Sequence, residues 1–172
     1  DVYKRQTVNS SRVFLRVNRV EAALCAKARE ATVSDLHEAA APRGIGGLMS
    51  SRMRPIQKGA RIAGPAVTAF CAPGDNLMMH RALYLAQPGD VLVVVCDAET
   101  SGAQWGDMAA RYALRKGLAG VVVQGCVRDT DTVEALGLPV WSTHVLSIHP
   151  DKCGHGFVNT PVVCDGVLVQ PG

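Results

Sequence analysis

The chain has 172 residues, enough for one domain with a sizeable core and short for two. Apolar residues make up 48% but aromatic ones only 5%, so that core has to be assembled from Val, Ala, Leu and Ile. The formal charge of +3 is small and the basic residues are scattered, Arg52, Arg54, Lys58 and Arg61 forming the densest group, which argues against a nucleic-acid partner.

In chain order, the opening Asp-Val-Tyr-Lys-Arg-Gln has no initiator Met and no pattern joining it to the residues after it. Residues 1–12 are therefore set aside as a non-native or disordered lead, and a single domain is expected over 13–172. Residues 20–30 carry apolar and Ala positions at helical spacing. Thr32 and Ser34 offer N-caps for a second short helix. The loop at 42–47 is Gly-rich, but no Lys-Ser/Thr follows and no strand-then-helix frame surrounds it, so a turn is expected and not a phosphate cradle. Residues 61–70 read as a strand that Pro65 makes irregular, hence an edge or a bulge. Residues 76–86 are amphipathic at helical spacing, between turns at 73–75 and 88–90.

The pattern then becomes regular. The β-branched run 91–96 is the mark of a strand buried on both faces. A helix over 107–116 is closed by Gly117, a buried strand follows over 119–124, a short helix over 130–136 is closed by Gly137, and a third strand spans 138–142. This is β-α-β-α-β, which implies parallel strands with right-handed crossovers. Residues 158–169 alternate short apolar runs with turns and read as antiparallel. The expected architecture is an α/β sandwich around a mixed sheet with a parallel βαβαβ core. Pro171-Gly172 after an apolar run reads as a turn toward another strand, so the domain is expected to be truncated at its C-terminus.

Six cysteines occur without a CxxC pair, several inside apolar runs, which points to a reducing compartment, the cytoplasm, and no disulfide framework. The longest apolar run is too short to span a bilayer, so no membrane partner is expected.

The chemistry concentrates at Asp107 and, after twenty intervening residues, at Arg128-Asp129. That separation is one helix, one turn and one strand, which returns all three residues to one edge of the sheet, where ligands collect in such folds. The helix start at Gly106, Asp107, Met108 and Ala109 presents unpaired N–H groups suited to a carboxylate. Arg128 can bind an oxyanion through two parallel N–H bonds. One carboxylate, Asp129, with waters and substrate oxygens suits Mg²⁺ or Mn²⁺. Spacing alone leaves two plain alternatives open: Asp129 as the N-cap of 130–136, and Asp107 as a helix-dipole partner. His144, His149, Cys153 and His155 form a loose cluster read as a surface loop in preference to a zinc site. His80 is read as a satisfied, partly buried histidine, Trp105 and Trp141 as packing or pocket-wall residues, and Cys126 as packing.

Gly106-Asp107-Met108-Ala109, Gly117 and the run Gly120 to Asp129 resemble the 4-hydroxy-4-methyl-2-oxoglutarate / 4-carboxy-4-hydroxy-2-oxoadipate aldolases, class II pyruvate aldolases related to the regulator of ribonuclease E activity A (RraA-like). Gly64-Pro65-Ala66-Val67-Thr68, Gly74-Asp75-Asn76-Leu77 with His80, Pro88-Gly89-Asp90 and Asn159-Thr160-Pro161-Val162 belong to the same resemblance, which covers residues 20 to 172. It implies a swivelling β/β/α domain, assembled as homotrimers or hexamers with active sites between subunits. It also implies roles: Asp129 as the single protein ligand of a divalent metal, Arg128 on the 2-oxo acid and its enolate, the backbone of Gly106, Asp107, Met108 and Ala109 on the substrate carboxylate, and Asp107 orienting a water that serves as acid or base. The reaction implied is metal-dependent retro-aldol cleavage of a 4-hydroxy-2-oxo acid with release of pyruvate, in the degradation of aromatic compounds, with oxaloacetate decarboxylation as a second activity. A Glu that such enzymes take from a neighbouring subunit is expected beyond Gly172. The alternative is a non-catalytic regulator that binds ribonuclease E; Asp107 favours the aldolase, because the regulators typically lack it.

Overall fold

The computed structural model describes residues 11–172. In chain order these form β1 (Arg12–Val13), α1 (Ala22–Glu30), α2 (Val33–Ala40), β2 (Arg54–Pro55), β3 (Ala66–Cys71), α3 (Leu77–Leu85), β4 (Val91–Cys96) and β5 (Ala103–Trp105). Then come α4 (Asp107–Lys116), β6 (Gly120–Val127), α5 (Thr130–Leu136), β7 (Val140–Val145), β8 (Gly156–Val158), β9 (Val162–Cys164) and β10 (Val167–Val169).

Two-sided burial explains the centre. Every residue of β4 is buried. Leu92, Val94 and Cys96 pack with Met79, Ala82, Ala110, Ala113 and Val133 of α3, α4 and α5, while Val91, Val93 and Val95 pack with Val122, Val162 and Cys164 on the opposite face. A strand covered on both faces has no place for alternation, hence the unbroken β-branched run. The sheet runs β1-β8-β3-β4-β6-β7-β2, with β5 beside the end of β6. β3, β4, β6 and β7 are mutually parallel, whereas β8 is antiparallel to β3 and β2 to β7. The β9–β10 hairpin forms a separate antiparallel pair. Hairpin, mixed sheet and helices make three layers, the β/β/α sandwich expected.

Local chemistry sets the helix ends. Thr32 and Asp35 exchange side-chain-to-backbone bonds in a capping box that starts α2. Gly117 and Gly137 close α4 and α5 in the left-handed region, which costs a glycine nothing sterically. α1 and α2 bury none of their residues within the chain.

Five expectations change. The strand expected over 61–70 starts only at Ala66 and is interior, between β4 and β8. Pro65 lies just before it and needs no ladder donor there; its carbonyl accepts the Val91 N–H at 2.8 Å. β6 continues to Val127, past the expected end at 124, through an irregular register between Val123 and Cys126. β7 likewise reaches Val145. The loop expected between 96 and 107 contains β5, parallel to β6. Of the lead expected over 1–12, residues 1–10 lie outside the described residues, and Arg12 already pairs with Phe157.

The turn at Asp90 is tied to the N-terminal segment. Arg19 donates to both carboxylate oxygens of Asp90 at 2.8 Å, and the Gln87 N–H donates to the same carboxylate at 2.7 Å. Asp90 is 1% exposed, so Arg19→Met strands a buried carboxylate with a single backbone donor. Equilibrium unfolding in urea is expected to show a loss of about 2–3 kcal/mol, less than for breaking a fully buried pair because Arg19 still touches water.

Candidate active site

The end of β6 and the start of α4 meet at one point. The Arg128 N–H donates to the Trp105 carbonyl at 3.0 Å, which fastens the residue after β6 to the last residue of β5. Gly106 follows Trp105 as the N-cap of α4, and its carbonyl accepts the first helical bond, from the Ala110 N–H at 3.0 Å. The backbone of Gly106 is extended, so its conformation does not demand glycine. Proximity does: a Cβ there would lie 2.9 Å from Asp129 Oδ2 and 3.1 Å from Arg128 Cγ.

Asp129 sits at the N-cap of α5 in the left-handed region, φ 56°, ψ 38°, and its side chain makes no capping bond. The plain alternative of an N-cap carboxylate is therefore not what this residue does. Its Oδ2 is 3.4 Å from Arg128 Nε, both side chains being a little over one-third exposed. Asp107, at the first position of α4, accepts from Arg111 Nε at 3.5 Å, an i,i+4 pair on a helix surface. That contact is compatible with its reading as a local helix partner.

A cleft of about 220 Å³ opens beside these groups, lined by Trp105, Gly106, Asp107, Met108, Ala109 and Arg128 on one side. Asn76, Met79, His80, Pro150 and Lys152 form the other. Asp129, beside Arg128, is not among the lining residues. Larger cavities lie away from the Arg-Asp pair, of about 560 and 470 Å³ beneath α1 and α2 and of about 270 Å³ beside Phe70, Phe157 and β9, whereas Asp107 and Arg128 line the 220 Å³ cleft. Among the described residues no three His, Cys, Asp or Glu side chains come together as a metal site. What Asp129 offers is one carboxylate with no capping bond, paired only loosely with Arg128, which suits a hard cation that keeps most of its waters.

A family model described as RraA-like, Aldolase/RraA, matches residues 31–172. The chain belongs to the RraA-like family. A protein of Halalkalibacterium halodurans named "Putative 4-hydroxy-4-methyl-2-oxoglutarate aldolase" is 36% identical over 124 residues, 72% of this chain and 59% of the relative. The chain thus spans less than two thirds of that relative's length. A Burkholderia multivorans protein of the same name is 35% identical over 141 residues, 80% of this chain and 84% of its own. Among solved structures, the RNA-processing inhibitor RraA from Thermus thermophilis is similar with a TM-score of 0.73 at 30% identity, over 83% of this chain and 84% of that one.

In this RraA-like chain the far wall of the cleft was not legible as a site. Lys152 lies in the loop between β7 and β8, within the loose His/Cys cluster, and reaches the cleft only through tertiary contacts. Asn76 had a signal, its place in Gly74-Asp75-Asn76. His80 is partly buried as expected, but its ring lines the cleft. His144 of the loose cluster is engaged elsewhere, its Nδ1 lying 3.0 Å from Glu99 Oε2. Cys126 is buried, its thiol donating to the Glu99 carbonyl at 2.9 Å, and burial pushes its pKa up, so packing is its role. Trp105 is 1% exposed against the cleft floor, and Trp141 lines the 470 Å³ cavity.

Burial, helped by the charge of Lys152, lowers the His80 pKa, and Asp75 opposes the shift. The imidazole is therefore neutral at pH 7. Because its folded value lies below the unfolded one of about 6.5, its contribution to stability is complete above that pH and is lost as pH falls toward the folded value. Proton-detected nitrogen NMR is expected to show His80 titrating below the free-histidine range and moving back up in Lys152→Met. Gly106→Ala is expected to keep the circular dichroism spectrum while a crystal structure shows Arg128 and Asp129 displaced from their places against α4.

Proposed function

We propose that the chain is a metal-dependent pyruvate aldolase, cleaving 4-hydroxy-2-oxo di- or tricarboxylic acids of the 4-hydroxy-4-methyl-2-oxoglutarate or 4-carboxy-4-hydroxy-2-oxoadipate type. The observation that carries this reading is the uncapped Asp129 carboxylate beside the Arg128 guanidinium, at the mouth of a cleft floored by a helix N-terminus. The names of the two relatives support it.

The substrate's 1-carboxylate would take the free N–H groups of Gly106, Asp107, Met108 and Ala109, where the helix partial charge favours an anion. Arg128 would reach the 2-oxo oxygen. A second carboxylate would extend toward Lys152, with neutral His80 and Asn76 beside it. A water oriented by Asp107 removes the proton of the 4-hydroxyl. The C3–C4 bond breaks, C4 becomes a carbonyl, and the electron pair passes through C3 to the 2-oxo oxygen as enolate. Arg128 stabilises that oxyanion where the charge develops. Return of a proton to C3 gives pyruvate. A Mg²⁺ or Mn²⁺ held by Asp129 would supply Lewis acidity for the same oxygen. Oxaloacetate decarboxylation passes through the same enolate and is the expected second activity. The cleft opens on the surface, in keeping with a homotrimer or hexamer whose neighbouring subunit completes the site.

A coupled assay for pyruvate tests this. Turnover of 4-hydroxy-4-methyl-2-oxoglutarate and oxaloacetate is expected with Mg²⁺ or Mn²⁺, abolished by EDTA, restored by added metal, and absent in Asp129→Ala. Arg128→Lys, which keeps the charge but not the fork, is expected to lose about 10²–10³-fold in kcat. Full turnover in EDTA, or none with any 4-hydroxy-2-oxo acid or oxaloacetate, overturns the proposal. A second reading, a non-catalytic regulator that binds ribonuclease E, draws on the likeness to the Thermus inhibitor and would gain if turnover were absent and ribonuclease E bound.

A further inference from the structure

We infer that Asp75 is a positioning residue for the far wall of the cleft, fixing the segment 151–154 so that Lys152 meets the substrate's distal carboxylate. The inference rests on the aldolase reading above and names a residue that reading does not use.

Asp75 is 3% exposed and forms no ion pair among the described residues. Its two oxygens serve two different pieces of chain. Oδ1 accepts the Leu77 N–H at 2.7 Å, at the start of α3, where Asn76 makes no side-chain cap. Oδ2 accepts the N–H groups of Cys153 and Gly154, each at 2.7 Å. One carboxylate therefore joins the first turn of α3 to a loop 78 residues further along. Backbone bonds complete the clamp. The Asp151 N–H donates to the Gly74 carbonyl at 2.7 Å, and the Asn76 N–H to the Asp151 carbonyl at 3.0 Å. The fit is tight, since a Cβ on Gly154 would lie 2.6 Å from Asp75 Cγ.

Residues on both sides of the clamp line the cleft: Asn76, Met79 and His80 from the helix side, Pro150 and Lys152 from the loop side. Asn76 Oδ1 is buried there with no hydrogen-bond partner among the described residues. A helix cap needs only one carboxylate oxygen. The second is spent entirely on the loop that carries the lysine. Three backbone N–H groups converge on acceptors, and an amide in this place turns an NH₂ toward at least one of them. Lys152 itself is long and flexible and belongs to no regular element, so where its ammonium points depends on how its backbone is held. Holding it in advance lowers the cost of ordering it when substrate arrives.

The test compares Asp75→Asn, Gly154→Ala, Lys152→Met and the Asp75→Asn/Lys152→Met double variant with the full chain. Gly154→Ala disturbs the clamp from the opposite side if Asp75→Asn fails to fold. Each single variant is expected to raise KM for 4-hydroxy-4-methyl-2-oxoglutarate about tenfold or more while kcat changes by less than about threefold. The double variant is expected to be no worse than about the poorer single one, because both act through one group. Amide hydrogen exchange is expected to show Cys153 and Gly154 losing roughly 100-fold of protection in Asp75→Asn, with β4 unchanged. A fall in kcat at constant KM, additive effects in the double variant, or retained protection at Cys153 and Gly154 overturns the inference. If the unaltered chain turns over no 4-hydroxy-2-oxo acid and no oxaloacetate, the aldolase reading fails by itself, and the exchange measurement still decides whether Asp75 holds the loop.

Discussion

The site depends on β6 staying buried at every residue but Gln124 as far as Val127 and then running out of cover. Along that strand the side chains are committed to packing, and the first charged residues the chain can offer are Arg128 and Asp129. The bond from the Arg128 N–H to the Trp105 carbonyl fixes where they emerge, because β5 ends beside β6 and leads directly into α4. Trp105, buried beneath, leaves β5 little freedom to shift. Gly106 then lets the helix start come within contact distance of the Arg-Asp pair. A helix N-terminus, a guanidinium and a carboxylate are thus brought together by backbone geometry, before any side-chain interaction among them is counted.

Electrostatics across the cleft come from the same arrangement. Arg128 stands at one side and Lys152 at the other, with the positive end of α4 along one wall. His80 lies near Lys152, but burial keeps it neutral at ordinary pH, so the far wall carries one cation and not two. A ligand with carboxylates at both ends satisfies both walls, whereas a monoanion leaves one cation facing water. Of the acidic groups, Asp107 lines the cleft but pairs with Arg111, and Asp129, beside Arg128, is not part of the lining. The cleft thus has a cation on each wall, the charge pattern that the proposed dianionic substrate requires.

The parallel core was legible because its signals are local. β4 and β6 are continuous β-branched runs, and α4 and α5 end in glycines that take left-handed conformations. The near wall of the site was legible for the same reason, since Gly106, Asp107, Arg128 and Asp129 lie at strand and helix ends whose order the sequence already specifies. What was not legible depends on distant contacts. β5 is three residues, Ala-Gln-Trp, with no alternation, and is a strand only because β6 offers it an edge. β3 was misread as an edge because Pro65 was counted inside it, whereas the proline stands just outside and spends its carbonyl on Val91. Lys152 could not be placed in the cleft from sequence, because its position rests on bonds to a carboxylate 77 residues earlier.

The conformation of Asp129 bears on why an acid stands there. A residue other than glycine in the left-handed region is strained by about 1 kcal/mol, and Gly or Asn would carry less. Asp tolerates the region best when its side chain bonds to nearby backbone, yet here it makes no capping bond and its one ion pair, at 3.4 Å, is with an arginine about one-third exposed. An exposed pair of that kind contributes little to stability. Among the described residues, that weak pair is all the carboxylate has to set against the strain. Backbone strain beside a helix N-terminus and a guanidinium is common where a side chain serves a ligand, and it supports the proposal that Asp129 holds the metal more directly than its spacing from Asp107 does.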